Sequence, residues 1–303
     1  MLDYDNLLKD LFINPQYANQ TLSWASTDTL ERFAELSESE DQELVDLVQS
    51  YTEDPVTYEF NSYGYRSIEF DEVEDSNFIL VSGCSHTVGI GNRYKDLWWV
   101  KLGEELDLPV VNLAQESYGP DFMFYNTNIW CNRKYPKPKI AIYQHPVTNR
   151  VMKCYLGTTI HMFSDTDDIT DDNIMHNCAF RHGMYTDAIT NLWNSQGVPC
   201  FHWGFQPDAD VANMFRTNAI YQVTGGDRAR DDTHDGPGAH TNAYEYLLPL
   251  CKQTATSKGL MNVINRPDAG LYEFKGSDST SGFESELAES IKELRDNTGI
   301  IYD

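Results

Sequence analysis

A serine stands in Gly83-Cys84-Ser85-His86-Thr87-Val88-Gly89, directly after the apolar run Phe78-Ile79-Leu80-Val81. Small residues around it let the backbone turn tightly and present Ser85 at the carboxyl end of a strand, the edge where open parallel sheets bind ligands. A serine hydroxyl is a weak nucleophile unless a base takes its proton and a carboxylate orients that base. One late stretch offers both: Arg230-Asp231-Asp232-Thr233-His234-Asp235-Gly236-Pro237-Gly238-Ala239-His240. In a loop, a carboxylate three residues before a histidine can curl back to accept its Nδ1 proton, leaving Nε2 for the serine; Asp231 and His234 have that spacing. The same residues admit other readings. Cys84 is a second nucleophile, His234 and His240 with Asp231 are a possible metal set, and a Gly-x-Ser-x-Thr-x-Gly is often only a turn. No further strong metal ligand stands out beside them, so neither metal nor other cofactor is expected.

The elements that must position these residues alternate along the chain. From residue 77, short apolar runs (Phe78–Val81, Val110–Leu113, Ile140–Tyr143, Val198–Trp203) alternate with helix-length segments (Leu97–Leu106, Asp121–Asn132, Ala179–Gln196), and a further helix is expected at Thr241–Lys252. This is the pattern of βαβ units and a parallel sheet. Trp98 and Trp99 fall in the first of these helices, where at least one should be core. Residues 1–74 read as an N-terminal extension of short acidic helices, at Thr29–Leu36 and Asp41–Val48, followed by a short strand near Val56–Phe60. The segment 146–178 lacks periodicity and is expected to leave the core. Its run Ser164–Asn173 has calcium-loop acidity but lacks the turn glycine and puts Ile169 at a ligand position, so a solvated loop is expected. Residues 256–303 read as a linker and an amphipathic helix carrying Phe283, Leu287, Ile291 and Leu294 on one face.

Composition narrows the function classes. With 47 acidic against 22 basic residues the formal charge is −25, which repels phosphate backbones and anionic lipid alike. Neither nucleic acid nor membrane is an expected partner. The beginning of the chain has no basic end or apolar run of a secretory signal, so a soluble, cytoplasmic protein is expected. The 6 cysteines are scattered without a C-x-x-C pair, as reduced core thiols would be.

Taken together, the serine turn, Gly119 in Asn112-Leu113-Ala114-Gln115-Glu116-Ser117-Tyr118-Gly119, and the late Asp-x-x-His resemble, in order, the sequence blocks of the SGNH/GDSL hydrolases. The resemblance covers residues 75–255. It implies a three-layer α/β/α, flavodoxin-like sandwich with a central parallel sheet, with Ser85 as nucleophile, His234 as base and Asp231 as orienting carboxylate. It also implies an oxyanion hole built from Ser85 and Gly119. The family's third block is an asparagine after the third strand; here Tyr143-Gln144-His145-Pro146-Val147-Thr148-Asn149-Arg150 has no clean match, leaving Gln144 or Asn149 as substitutes. Cys84 replaces the Asp of the Gly-Asp-Ser motif. His86, Tyr118, His145 and His240 are candidate substrate contacts, and Trp203 and Phe205 candidate pocket walls. Asn61-Ser62-Tyr63-Gly64-Tyr65-Arg66 and the two loop motifs further look like divergent members from marine bacteriophages. The expected activity is removal of a short acyl group, such as acetyl, from a glycan ester through an acyl-enzyme. The alternative is a catalytically silent component of a phage particle, with phage structural proteins or a second copy of the chain as partner.

Overall fold

The computed structural model describes residues 12–146, 150–154, 160–164, 172–204, 221–222 and 227–256. In chain order the elements are β1 (Thr21–Leu22), α1 (Leu30–Ser37), α2 (Gln42–Ser50), β2 (Tyr58–Glu59), β3 (Ile79–Ser82), α3 (Ser85–Val88), α4 (Trp98–Leu106), β4 (Val110–Asn112), α5 (Pro120–Asn132), β5 (Ile140–His145), β6 (Arg150–Cys154), β7 (Ile160–Ser164), α6 (Asp172–Ser195), β8 (Cys200–Gly204), β9 (Tyr221–Gln222) and α7 (Pro237–Thr256).

Strands β4-β3-β5-β8-β9 form one sheet in that order, and every pairing in it is parallel. Numbered by their occurrence in the chain, these strands run 2-1-3-4-5, the flavodoxin-like order, whose switch point lies between β3 and β5. Side chains alternate across the sheet. Ile79 and Val81 pack with Trp98, Trp99 and Leu102 of α4 and Ala243 and Leu247 of α7. Phe78 and Leu80 face the other way, toward Trp130 of α5 and Ile189 and Trp193 of α6. The expected α/β/α sandwich is therefore present. Burial on both faces explains why β3 and β5 read as unbroken apolar runs.

Beyond the four expected strands, the two-residue β9 completes the sheet, too short to carry a pattern. The stretch expected to leave the core holds the antiparallel pair β6–β7, with Arg150 opposite Ser164, and the first turns of α6. Residues 165–171, most of the acidic run, and 257–303, the expected linker and last helix, lie outside the described residues. The described residues all fall in one compact unit ending at Met261, and the N-terminal segment is part of it. β1 pairs with β2, and Tyr51, Val56, Tyr58 and Phe60 pack onto Val88, Ile90 and Ala114, just beyond the carboxyl ends of β3 and β4. No described helix is long and apolar enough to cross a membrane.

Candidate active site

β3 ends at Ser82, and the chain turns through Gly83 and Cys84 into the single-turn helix α3, which opens with Ser85. Gly83 is required by close approach: a Cβ there would lie 2.4 Å from Thr87 Oγ1 and 2.9 Å from Gln144 Oε1. The turn is held from the neighbouring strand, since Gln144 Oε1 accepts from Cys84 N (3.4 Å), Cys84 Sγ (3.3 Å) and Thr87 Oγ1 (3.1 Å). Behind it, Arg66 is fully buried and donates to the carbonyls of Val88, Gly89, Thr57 and Asn92.

The second arm is the loop before α7. Asp231 Oδ1 accepts the N–H groups of Thr233 and His234, each at 3.2 Å, while Asp232 takes the left-handed conformation at φ 57°, which Asp tolerates better than most residues. This turn brings the imidazole back onto its own carboxylate. His234 Nδ1 lies 2.8 Å from Asp231 Oδ2, and His234 Nε2 lies 2.8 Å from Ser85 Oγ. Because Oδ2 can only accept, Nδ1 carries the proton of the neutral ring and Nε2 is free to accept from the serine hydroxyl. Burial alone would raise the Asp231 pKa. The hydrogen bond and charge of His234, with donors from Thr27 and the Thr233 N–H, outweigh it and hold the carboxyl down to about 2.

The structure thus brings Ser85, His234 and Asp231 together and sorts the other candidates. Gly119 is at the carboxyl end of β4, next to β3, as the residue before α5; a Cβ there would lie 2.2 Å from the Arg150 carbonyl oxygen. Among the described residues, no protein group accepts from the N–H of Ser85 or of Gly119. Gln144 braces the serine turn: its amide oxygen accepts from that turn, and its Nε2 gives one of its two hydrogens to the His145 carbonyl at 2.7 Å. Asn149 lies outside the described residues. Cys84 is fully buried with its Sγ on Gln144, away from a nucleophile's position. His86 is mostly buried, its Nδ1 2.9 Å from Asp235 Oδ2 and its ring 4.8 Å from that of His234. Burial, chiefly, lowers its pKa. Tyr118 is partly exposed in a cleft of about 540 Å³ that also includes Asn14, Tyr17, Ser26, Gln115 and Glu116.

His145 and His240 are corrected from substrate contacts to interior residues. His145, 3% exposed, bonds His182 Nε2 at 2.7 Å and His202 Nδ1 at 2.8 Å. Thr190 Oγ1 donates to Thr186 O and so accepts from His202 Nε2, which for neutral rings sets one tautomer after another back along the chain. His240 is 0% exposed and its Nδ1 accepts the Trp98 N–H at the start of α4. Burial, with the His86 charge second, pushes its pKa down to about 3. Trp203 is likewise core, edge-on to Trp98 at 5.1 Å, and Phe205 lies outside the described residues.

A depressed imidazole pKa gives the fold stability that is complete above the unfolded value, near pH 6.5, and is lost as pH falls below it. For His240 this amounts to about 2 kcal/mol between pH 7 and pH 5. Urea denaturation at the two pH values is expected to show that loss in the wild type and less of it in His240→Gln.

Motif reading missed the N-terminal clamp. Thr27 Oγ1 donates to Asp231 Oδ2 at 2.6 Å, and Arg32 Nε to the Asp231 carbonyl at 3.4 Å. One residue on, Asp28 forms a buried ion pair with Arg230, at 2.8 Å from Nε and 2.5 Å from Nη2. Tyr58 OH also donates to Asp28, and the Arg230 guanidinium lies 4.1 Å over the Trp24 ring. The only sequence signal was Arg230 standing beside Asp231. Because Thr27 fixes the carboxylate oxygen that His234 uses, Thr27→Val is expected to lower kcat/KM about five- to tenfold and Thr27→Ser to retain most of it, as steady-state kinetics would show.

No family model matches the sequence, and neither does any curated protein. Solved structures give distant likenesses. An acetyl xylan esterase from the rumen bacterium Butyrivibrio proteoclasticus aligns at 12% identity and TM-score 0.41, over 61% of this chain and 66% of that one. A putative lipolytic protein of the G-D-S-L family from Desulfitobacterium hafniense aligns at 12% and 0.40, over 58% and 99%. A carbohydrate acetylesterase family member from Sinorhizobium meliloti aligns at 11% and 0.38, over 59% and 99%. This chain therefore spans just under two thirds of the length of the Butyrivibrio enzyme.

Proposed function

We propose that the protein is a serine esterase that removes a short acyl group, such as acetyl, from a carbohydrate. The observation that carries this reading is the linked array in which Ser85 Oγ, His234 Nε2, His234 Nδ1 and Asp231 Oδ2 follow one another through contacts of 2.8 Å. As Ser85 Oγ attacks the ester carbonyl, its proton passes to His234 Nε2 and the Oγ–C bond forms. The Ser85 and Gly119 N–H groups are suited to the oxyanion. Collapse breaks the ester C–O bond, and the alcohol leaves with the proton from His234. Water then attacks the acyl-enzyme, gives its proton to His234, and releases the carboxylic acid as Ser85 recovers its hydrogen. Asp231 stays ionised throughout and stabilises the transient imidazolium.

A carbohydrate as the alcohol agrees with the adjoining cleft, whose walls are mostly hydrogen-bonding side chains: Asn14, Gln115, Glu116, Tyr17 and Tyr118. Glu116 is oriented by Tyr17 OH at 3.1 Å, and Ser26, also on its carboxylate, directly precedes the Thr27 that grips Asp231. A second reading, a silent structural component, draws on the missing third-block asparagine, since Gln144 is committed to the turn. Hydrolysis of p-nitrophenyl acyl esters of increasing chain length, by wild type and Ser85→Ala, separates the two. The esterase gives a Ser85-dependent rate that is highest for short chains, and background rates for both proteins favour the silent component.

A further inference from the structure

The position that the family fills with an asparagine is held here by Gln144, whose amide braces the serine turn, and the same stretch of chain ends in Arg150, two of whose guanidinium nitrogens have no partner among the described residues. Arg150 opens β6 and is partly buried; its Nε and Nη1 are shielded from solvent and make no hydrogen bond. Buried donors in native proteins are nearly always paired, and leaving one unpaired is destabilising. Such a cost persists where function requires the group.

Its surroundings are those of the site. The Arg150 carbonyl lies so close to Gly119 that any Cβ there would overlap it at 2.2 Å. Its positive charge acts on His86, the residue next to the serine. Arg150 thus lies against the Gly119 turn through its backbone and within electrostatic reach of the serine turn through its charge, and among the described residues nothing accepts from the N–H of Ser85 or Gly119. Among the described residues, no carboxylate pairs with it.

We propose that Arg150 is a further catalytic residue, its guanidinium donating to the oxyanion formed when Ser85 attacks the ester, in place of the family's asparagine. This rests on the esterase reading above. A cation suits the task because negative charge on the carbonyl oxygen grows only as the transition state is approached, so the donor acts on that state far more than on bound ester. The tetrahedral oxyanion is then a partner for these donors.

The test measures activity and stability on the same variants. Arg150→Met keeps the apolar length and removes the charge; Arg150→Ala leaves space for a soluble cation. With p-nitrophenyl acetate, both variants are expected to lose about a hundredfold to a thousandfold in kcat with little change in KM. Added guanidinium ion at millimolar concentration is expected to restore part of the Arg150→Ala rate. Urea midpoints are expected to be equal to or above wild type in Arg150→Met, because two unpaired buried donors have gone. A residue that merely supports the fold would lower the midpoint and show no rescue. Wild-type, Ser85-dependent turnover together with Arg150 variants within about threefold of it would overturn the Arg150 role and leave the esterase standing. Absence of Ser85-dependent turnover in the wild type would remove the esterase reading itself, and this proposal with it.

Discussion

Ser85→Ala and His234→Ala are each expected to lower kcat for a short acyl ester by roughly ten-thousandfold to a millionfold, with the double variant scarcely worse than either single one. The two side chains act as a unit. Without His234 the hydroxyl keeps its proton, and without Ser85 the imidazole has nothing to activate but water. What survives in either variant is the contribution of binding and the oxyanion donors. Steady-state kinetics over a range of ester concentrations, with circular dichroism to establish that the variants fold, decides the matter. Losses that multiply in the double variant would mean that the 2.8 Å contact between Ser85 Oγ and His234 Nε2 is not used in the reaction.

The second large effect is on stability. Arg230 and Asp28 are 2% and 1% exposed, and each is the other's charge partner. Arg230→Ala leaves the Asp28 carboxylate buried with Tyr58 OH but no cation, a change expected to cost about 3 to 5 kcal/mol of unfolding free energy. Asp28→Ala should cost a similar amount, since it strands the guanidinium. The double replacement should cost much less than the two added together, because neither charge is left stranded. Urea denaturation of the four proteins closes the cycle. Additive losses would show that the pair is not coupled across the 2.5 Å contact. Since Arg230 precedes Asp231 and Thr27 precedes Asp28, this clamp also carries the carboxylate that orients His234.

The parts of the molecule that could be read from the sequence are those written locally. β3 and β5 announce themselves because both faces are buried and no polar residue interrupts them. Asp231-x-x-His234 announces itself because three residues are what a carboxylate needs to reach back to its own imidazole. The clamp is of another kind. Thr27 and Asp28 belong to no periodic pattern, and their partners lie some two hundred positions away, at Asp231 and Arg230. A polar contact between distant residues has no local signature, so residues 1–74 read as an extension although their side chains complete the site. His145 and His240 misled for a related reason: a histidine near the end of a strand or the start of a helix has the same sequence context whether it faces a pocket or the core. In the structure a chain of imidazoles and the Trp98 N–H take them inward. Gln144 occupies a third-block position, but whether an amide faces an oxyanion or braces a turn depends on one rotamer, which the sequence does not specify.

A fluorophosphonate probe tests the nucleophile most directly, because it reacts with an activated serine regardless of which acyl group or alcohol the natural substrate carries. Incubation of the folded protein with the probe, followed by peptide mass spectrometry, is expected to give one adduct on the peptide containing Ser85, and little or none in His234→Ala. An unlabelled Ser85 in folded wild-type protein, or labelling undiminished in His234→Ala, would contradict the account.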